Sequence, residues 1–152
     1  MPLNETPEFI IRPTLLYVFV EKIGPFLETA KAAWEEFYPH LEEIRRETEI
    51  IEFAAHYKMQ PEMRYRSGVA VATHPAQLPV GLKSEFREGG RYARFLLTGP
   101  YDQLVHACGR VFDLVRERNL DVRDDFYIEH YVNNPDTTPP DKLLTEILIP
   151  VK

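Results

Sequence analysis

The chain has 152 residues, 44% hydrophobic and 28% charged, with a net charge of −6. Its basic residues are scattered among acids, so the clustered Lys and Arg that drive binding to a phosphate backbone are missing and direct nucleic-acid binding is not expected. A single cysteine, Cys108, excludes an internal disulfide and a thiolate metal site. The start, MPLNETPEF, lacks the basic flank and apolar core of a signal peptide. No stretch approaches the ~20 apolar residues of a membrane span. The expectation is a cytoplasmic protein without membrane contact, metal or cofactor.

In chain order, TLLYVFVEKIG is short, rich in aromatic and branched residues, and ends at Gly24, which predicts a strand over about 14–22. Gly-Pro then opens a helix, since proline at the first helical position loses no hydrogen bond. Phe26, Ala30, Ala33, Trp34, Phe37 and Leu41 recur at three- and four-residue steps, a buried stripe. Pro39 should break that helix near Glu35 to Tyr38. Strands follow over about 49–58 and 65–73. The Pro- and Gly-punctuated stretch PAQLPVGLKSEFREGG supplies a linker over about 75–88. A strand over 91–99, a helix from Pro100 to about Arg118, and strands over about 124–133 and 143–151 complete the chain.

The two halves repeat. At an offset of 75, Tyr17, Gly24, Pro25, Ala32, Phe37 and Glu42 fall on Tyr92, Gly99, Pro100, Ala107, Phe112 and Glu117, with Phe26 over Tyr101 as a near match. At an offset of 74, FAAHYKMQPE falls on YIEHYVNNPD, so that His56, Tyr57 and Pro61 match His130, Tyr131 and Pro135. The reading is a single α+β domain of tandem duplicated β-α-β-β units, half one about 8–74 and half two about 89–152.

Each helix must cover one face of its strands. Leu16, Val18 and Val20 are purely aliphatic and belong beneath the first helix, so Tyr17 and Phe19 point away from it. Carrying the repeat register through places Tyr17, Phe19, Phe53, Tyr57, Tyr92, Tyr127 and Tyr131 together on the open face. Exposed aromatics in that number mark a binding surface. Half one has Ala55 where half two has Glu129, so a single carboxylate stands among aromatics. Aromatic faces attract cations, and a carboxylate there needs a partner. His56 and His130 occupy equivalent positions opposite this face, which favours a structural role, and Cys108 lies on an inward helix stripe.

The stretches GGRYARFLLTGPYDQL, DDFYIEHYVNNPDTTPPDKLLTEILIPVK and, more weakly, YRSGVAVATHP resemble the GyrI-like small-molecule-binding family. That family shares its effector-binding fold with the ligand domains of AraC-type and MerR-type multidrug regulators. The resemblance implies a double SHS2-like arrangement of β-α-β-β units with a central ligand cleft. It further implies an aromatic pocket with a buried glutamate, which matches Glu129, and an aromatic wall, which matches Tyr92 and Tyr131. Trp34 is similar to a helix-one tryptophan of some members. Stand-alone members include cyclopropanoid hydrolases and gyrase inhibitors. The segment before residue 14 is too short for a DNA-binding domain, so a regulatory role would need a separate partner.

Two functions follow. The first is a multidrug-type protein that binds a hydrophobic, preferably cationic, aromatic small molecule through Glu129, Tyr92, Tyr131, Trp34, Tyr17, Phe19, Tyr57 and Tyr127. Glu146 is either a second cleft carboxylate or an arginine partner. The alternative is a cyclopropanoid hydrolase in which Glu129 is the general base and Tyr92 or Tyr131 hydrogen-bonds the leaving group.

Overall fold

A computed structural model describes residues 2–152. The elements are β1 (Glu8–Arg12), β2 (Leu15–Ile23), α1 (Phe26–Phe37), α2 (Leu41–Glu47), β3 (Ile50–Lys58), β4 (Arg64–Val71), β5 (Lys83–Arg87), β6 (Gly90–Thr98), α3 (Leu104–Glu117), β7 (Tyr127–Tyr131) and β8 (Leu144–Pro150). They divide into two compact units. The first unit is Pro13–Gly89; the second joins the N-terminal segment up to Arg12 with Gly90–Lys152. No helix among the described residues is long and apolar enough to cross a membrane.

In the first unit all strand pairs are antiparallel, in the order β3-β4-β2-β5. Helix α1 buries Thr29, Ala33 and Phe37. It ends at Phe37, and Pro39 sits in a 3-10 turn before α2 resumes at Leu41. This break is expected, because proline cannot donate into the helical ladder. In the second unit the order is β1-β6-β8-β7, again antiparallel. Helix α3 closes a core of Ala93, Phe95, Leu97, Val111, Leu114, Ile147 and Ile149. It starts at Leu104 rather than Pro100, after a 3-10 turn over Tyr101–Gln103, because Pro100 has extended backbone (ψ 154°). Gly24 and Gly99 precede the paired prolines with φ of +135° and +146°, a region side chains rarely adopt, which explains the shared Gly-Pro doublet.

Three expectations need correction. Residues 8–12, assigned above to half one, form β1 and pair with β6 of the second unit. The linker contains β5, which pairs with β2 of the first unit. The single aromatic face does not exist. Tyr57 stands opposite Tyr65, and Tyr65 opposite Lys22, so Tyr57 shares the α1 face with Val20 and Val18 while Tyr17 and Phe19 take the other. Glu129 stands opposite Ile147, a residue of the core under α3, so Tyr127, Glu129 and Tyr131 share the α3 face while Tyr92 does not. The aliphatic pattern set the phase of β2, but nothing in the sequence set the phase of β3 and β7 against it. An error of one residue in pairing moves every side chain to the opposite face.

Close approach of β2 to β4 rests on Gly68. A Cβ there would lie 2.1 Å from the Val18 carbonyl oxygen and 2.9 Å from Phe19 Cα, both backbone atoms. Gly68→Ala is expected to destabilise the protein by about 3 kcal/mol. Gly109→Ala in α3, where an added methyl meets nothing within 4 Å, should stabilise it by about 0.5–1 kcal/mol. Urea unfolding midpoints of the two variants, moving in opposite directions, check both statements.

Candidate functional site

Strand β7 places Tyr127, Glu129 and Tyr131 on the α3 side of the second unit. Phe112 of α3 meets Tyr127, ring centroids 5.8 Å apart. Tyr101, in the turn that leads into α3, meets Tyr131 edge-on at 5.4 Å. Between the two tyrosines in sequence, Glu129 is only 8% exposed. Its Oε2 has no hydrogen-bond partner among the described residues. Burial alone pushes its carboxyl from 4.5 up to about 7, because an ionised carboxylate out of water is disfavoured. Thr145, opposite Tyr131 on β8, is also fully buried with its hydroxyl unpartnered. The result is an ionisable acid, with its charge uncompensated, flanked along its strand by phenols.

The other face of the same strand has the opposite character. His130 Nδ1 pairs with Glu146 Oε1 at 2.7 Å. Arg94 Nε lies 2.6 Å from Glu146 Oε2 as a close ion pair rather than an aligned hydrogen bond. The His130 hydrogen bond first, and then the charges of His130, Arg94 and Arg12, hold the Glu146 carboxyl below its ordinary range against the opposing effect of burial. Of the two readings of Glu146, the arginine partner is the one the geometry matches.

Tyr92 lies on this second face, buried beneath the Arg123 guanidinium, 4.7 Å from the ring centroid. Arg123 is held by the carbonyls of Arg91 and Val151 at 2.6 and 2.9 Å. The structure therefore places Tyr92 and Glu129 on opposite faces of the second unit's strands. In the first unit, Tyr17 stacks between His56 at 4.0 Å and Phe19 at 5.2 Å, and its hydroxyl donates to the Ala54 carbonyl at 2.7 Å. Phe19 is covered by Arg66 at 4.3 Å. These rings face the protein's own groups. Tyr57 and Trp34 are on the α1 side of that unit. Tyr57 meets Phe26 edge-on at 5.5 Å, and Trp34 Nε1 donates to the Tyr65 hydroxyl at 2.9 Å.

Sequence reasoning overlooked Tyr101 as a wall of the site. Its signal was present: Phe26 aligns with Tyr101 in the repeat, and Tyr57 with Tyr131. Each unit builds the same edge-to-face pair from those positions, with interplanar angles of 72° and 67°. Among the described residues no group of three or more His, Cys, Asp or Glu could hold a metal ion.

Residues 5–152 match the profile of the GyrI-like small molecule binding domain. No curated protein matches the chain by sequence. Among solved structures, the C-terminal domain of EcmrR superposes with a TM-score of 0.80 at 16% identity, over 100% of this chain and 99% of that one. SAV2435 bound to tetraphenylphosphonium gives 0.76 at 14% identity, over 96% and 93%. A hydrolase from Listeria innocua gives 0.61 at 14% identity, over 98% and 93%. Likeness at such identities establishes a common α+β fold.

The Glu129 carboxyl holds its proton more tightly folded than unfolded. Stability it contributes is therefore fully present below 4.5 and lost as pH rises through about 7. Glu129→Gln should remove that loss: at pH 8 the variant is expected to exceed the parent by about 3 kcal/mol, with little difference at pH 4. Urea denaturation of both proteins at the two pH values measures it, and parallel profiles would place the carboxyl in water.

Proposed function

Because the chain belongs to the GyrI-like small-molecule-binding family, we propose that it binds bulky aromatic cations, with Glu129 neutralising the charge and Tyr127, Tyr131 and Tyr101 supplying ring contacts. The observation that carries this reading is Glu129, a buried carboxylate with no protein partner among the described residues. A buried charge is tolerated when it is paired, and a lipophilic cation pairs it while the tyrosine faces stabilise the same cation. The net charge of −6 favours such ligands at a distance. SAV2435, which shares the fold, holds tetraphenylphosphonium.

Calorimetric titration with tetraphenylphosphonium tests this. Affinity of the parent is expected to rise as pH increases through about 7, the value to which burial pushes the Glu129 carboxyl. Glu129→Gln should weaken binding roughly 30-fold at pH 8 and flatten the pH dependence. A neutral aromatic of similar size should bind both proteins alike. Equal affinity of parent and variant for the cation would remove Glu129 from the site.

A second reading, hydrolysis of a strained cyclopropanoid ring, is favoured by the same carboxyl, since a group titrating near 7 is suited to general-base work. Glu129 would take a proton from water as it opens the ring, and Tyr131 would hydrogen-bond the leaving oxygen. Mass spectrometry of a cyclopropanoid alkylator incubated with the protein should then find the water adduct. Glu129→Gln should lose at least about 100-fold in rate while still binding the compound. Binding without adduct leaves the first reading alone.

A further inference from the structure

Among the described residues, β1 and β5 each have a hydrogen-bonded neighbour on one side only. Unpaired strand edges are templates for another chain, and most proteins blunt them with charge. Both edges here carry charges, but in arrangements with opposite consequences. Strand β1 reads Glu8-Phe-Ile-Ile-Arg12. Laid antiparallel on a second copy about a twofold axis at Ile10, Glu8 faces the copy's Arg12, Phe9 faces its Ile11, and Ile10 faces itself. Directly opposed residues share a face in an antiparallel pair. Every opposition is therefore favourable, ionic at both ends and apolar between. Strand β5 reads Lys83-Ser-Glu-Phe-Arg87. The same operation there sets Lys83 against Arg87, Glu85 against itself and Ser84 against Phe86, so like charges oppose each other at both ends and at the centre.

Exposure agrees with sequence. Phe9 is 46% and Ile11 76% exposed, and they lie on one face of β1. Pairing with a copy would bring four such side chains together. Glu8 is open enough to take a second cation: its bond to Arg94 is a single 3.2 Å contact, on a side chain 69% exposed. Pro7 and Pro13 bracket the strand and lack the amide donor needed to extend pairing beyond it. The register is thereby fixed, since a slip leaves charges opposite isoleucine.

We propose that β1 is a self-pairing edge through which two copies of this chain associate antiparallel about Ile10. Five residue pairs make a small contact, so the association is weak and concentration-dependent. Sedimentation velocity of the full chain over a concentration series tests it. The parent is expected to approach a dimer as concentration rises. Glu8→Arg alone sets arginine against arginine twice, and Arg12→Glu alone sets glutamate against glutamate twice. Each should weaken self-association roughly tenfold or more. An equimolar mixture of the two variants restores both ionic pairs, and association should return to the parent's strength. Circular dichroism verifies folding of each. Should a charge variant fail to fold, the exposed Ile11→Lys carries the same expectation of a monomer. The proposal is overturned if the parent stays monomeric at its highest soluble concentration, if the single variants associate like the parent, or if the mixture stays as weak as its components.

Discussion

On β7, successive side chains must point to opposite faces of the sheet, and this separation sets the chemistry of the second unit. Glu129 and His130 are chain neighbours, yet one stands opposite Ile147 of the core and the other opposite Glu146. On the His130 side every charge is compensated, by Glu146, Arg94 and Glu8 in sequence. On the Glu129 side the strand offers hydrocarbon and phenol, and the carboxyl is pushed up to about 7. A slip of one residue would exchange the two environments: it would set Glu129 on the face of Glu146 and Arg94 and drive His130 into the core. The register of β7 on β8 thus sets the burial that raises the acid's pKa, and Ile147 and Ile149 beside it are fully buried.

Aromatic rings on the faces away from the helices are occupied by the protein itself. Arg66 covers Phe19 and Arg123 covers Tyr92. These guanidinium groups are anchored: Arg66 by Glu21 and Glu85, each at 2.7 Å, and Arg123 by backbone carbonyls. Each stack gains the electrostatic attraction of a cation for a ring face without the mobility of a free side chain. Aromatic–cation recognition, read from composition as a property of a ligand site, is in these places a device of the scaffold. Glu129 differs in kind, because a carboxylate cannot satisfy itself on a ring.

Much of this was legible in the sequence. Gly-Pro before each helix, Pro39 inside the first, and the aliphatic alternation of Leu16, Val18 and Val20 each act through local sterics, and local sterics survive folding. The two edge strands were not legible. EFIIR has charged ends and no clean alternation, and KSEFR lies in a stretch punctuated by Pro and Gly; partners far along the chain make them strands. The open face failed for the same reason, since register is a relation between strands and not a property of either. The burial of Glu129 was legible through contrast: Ala55, which aligns with it, is fully buried as well.

Strand provenance links these points. β1 immediately precedes β2 but pairs with β6, and β5 immediately precedes β6 but pairs with β2. The first unit is therefore a continuous stretch, whereas the second must recover its outer strand from across the whole of Pro13–Gly89. Closing so long a loop costs entropy, and the N-terminal segment makes many bonds along β6 to offset it. The Thr98 amide donates to the Pro2 carbonyl at 3.1 Å, the Asn4 amide to the Leu96 carbonyl at 2.9 Å, and Arg110 holds Glu5 at 2.8 Å. Those contacts run just ahead of β1, whose own inner edge pairs with β6 over Glu8–Arg12. A strand held this firmly on its inner side presents its outer side already ordered. The entropy of forming an edge has then been spent in folding, and a second chain meeting that edge need not supply it again.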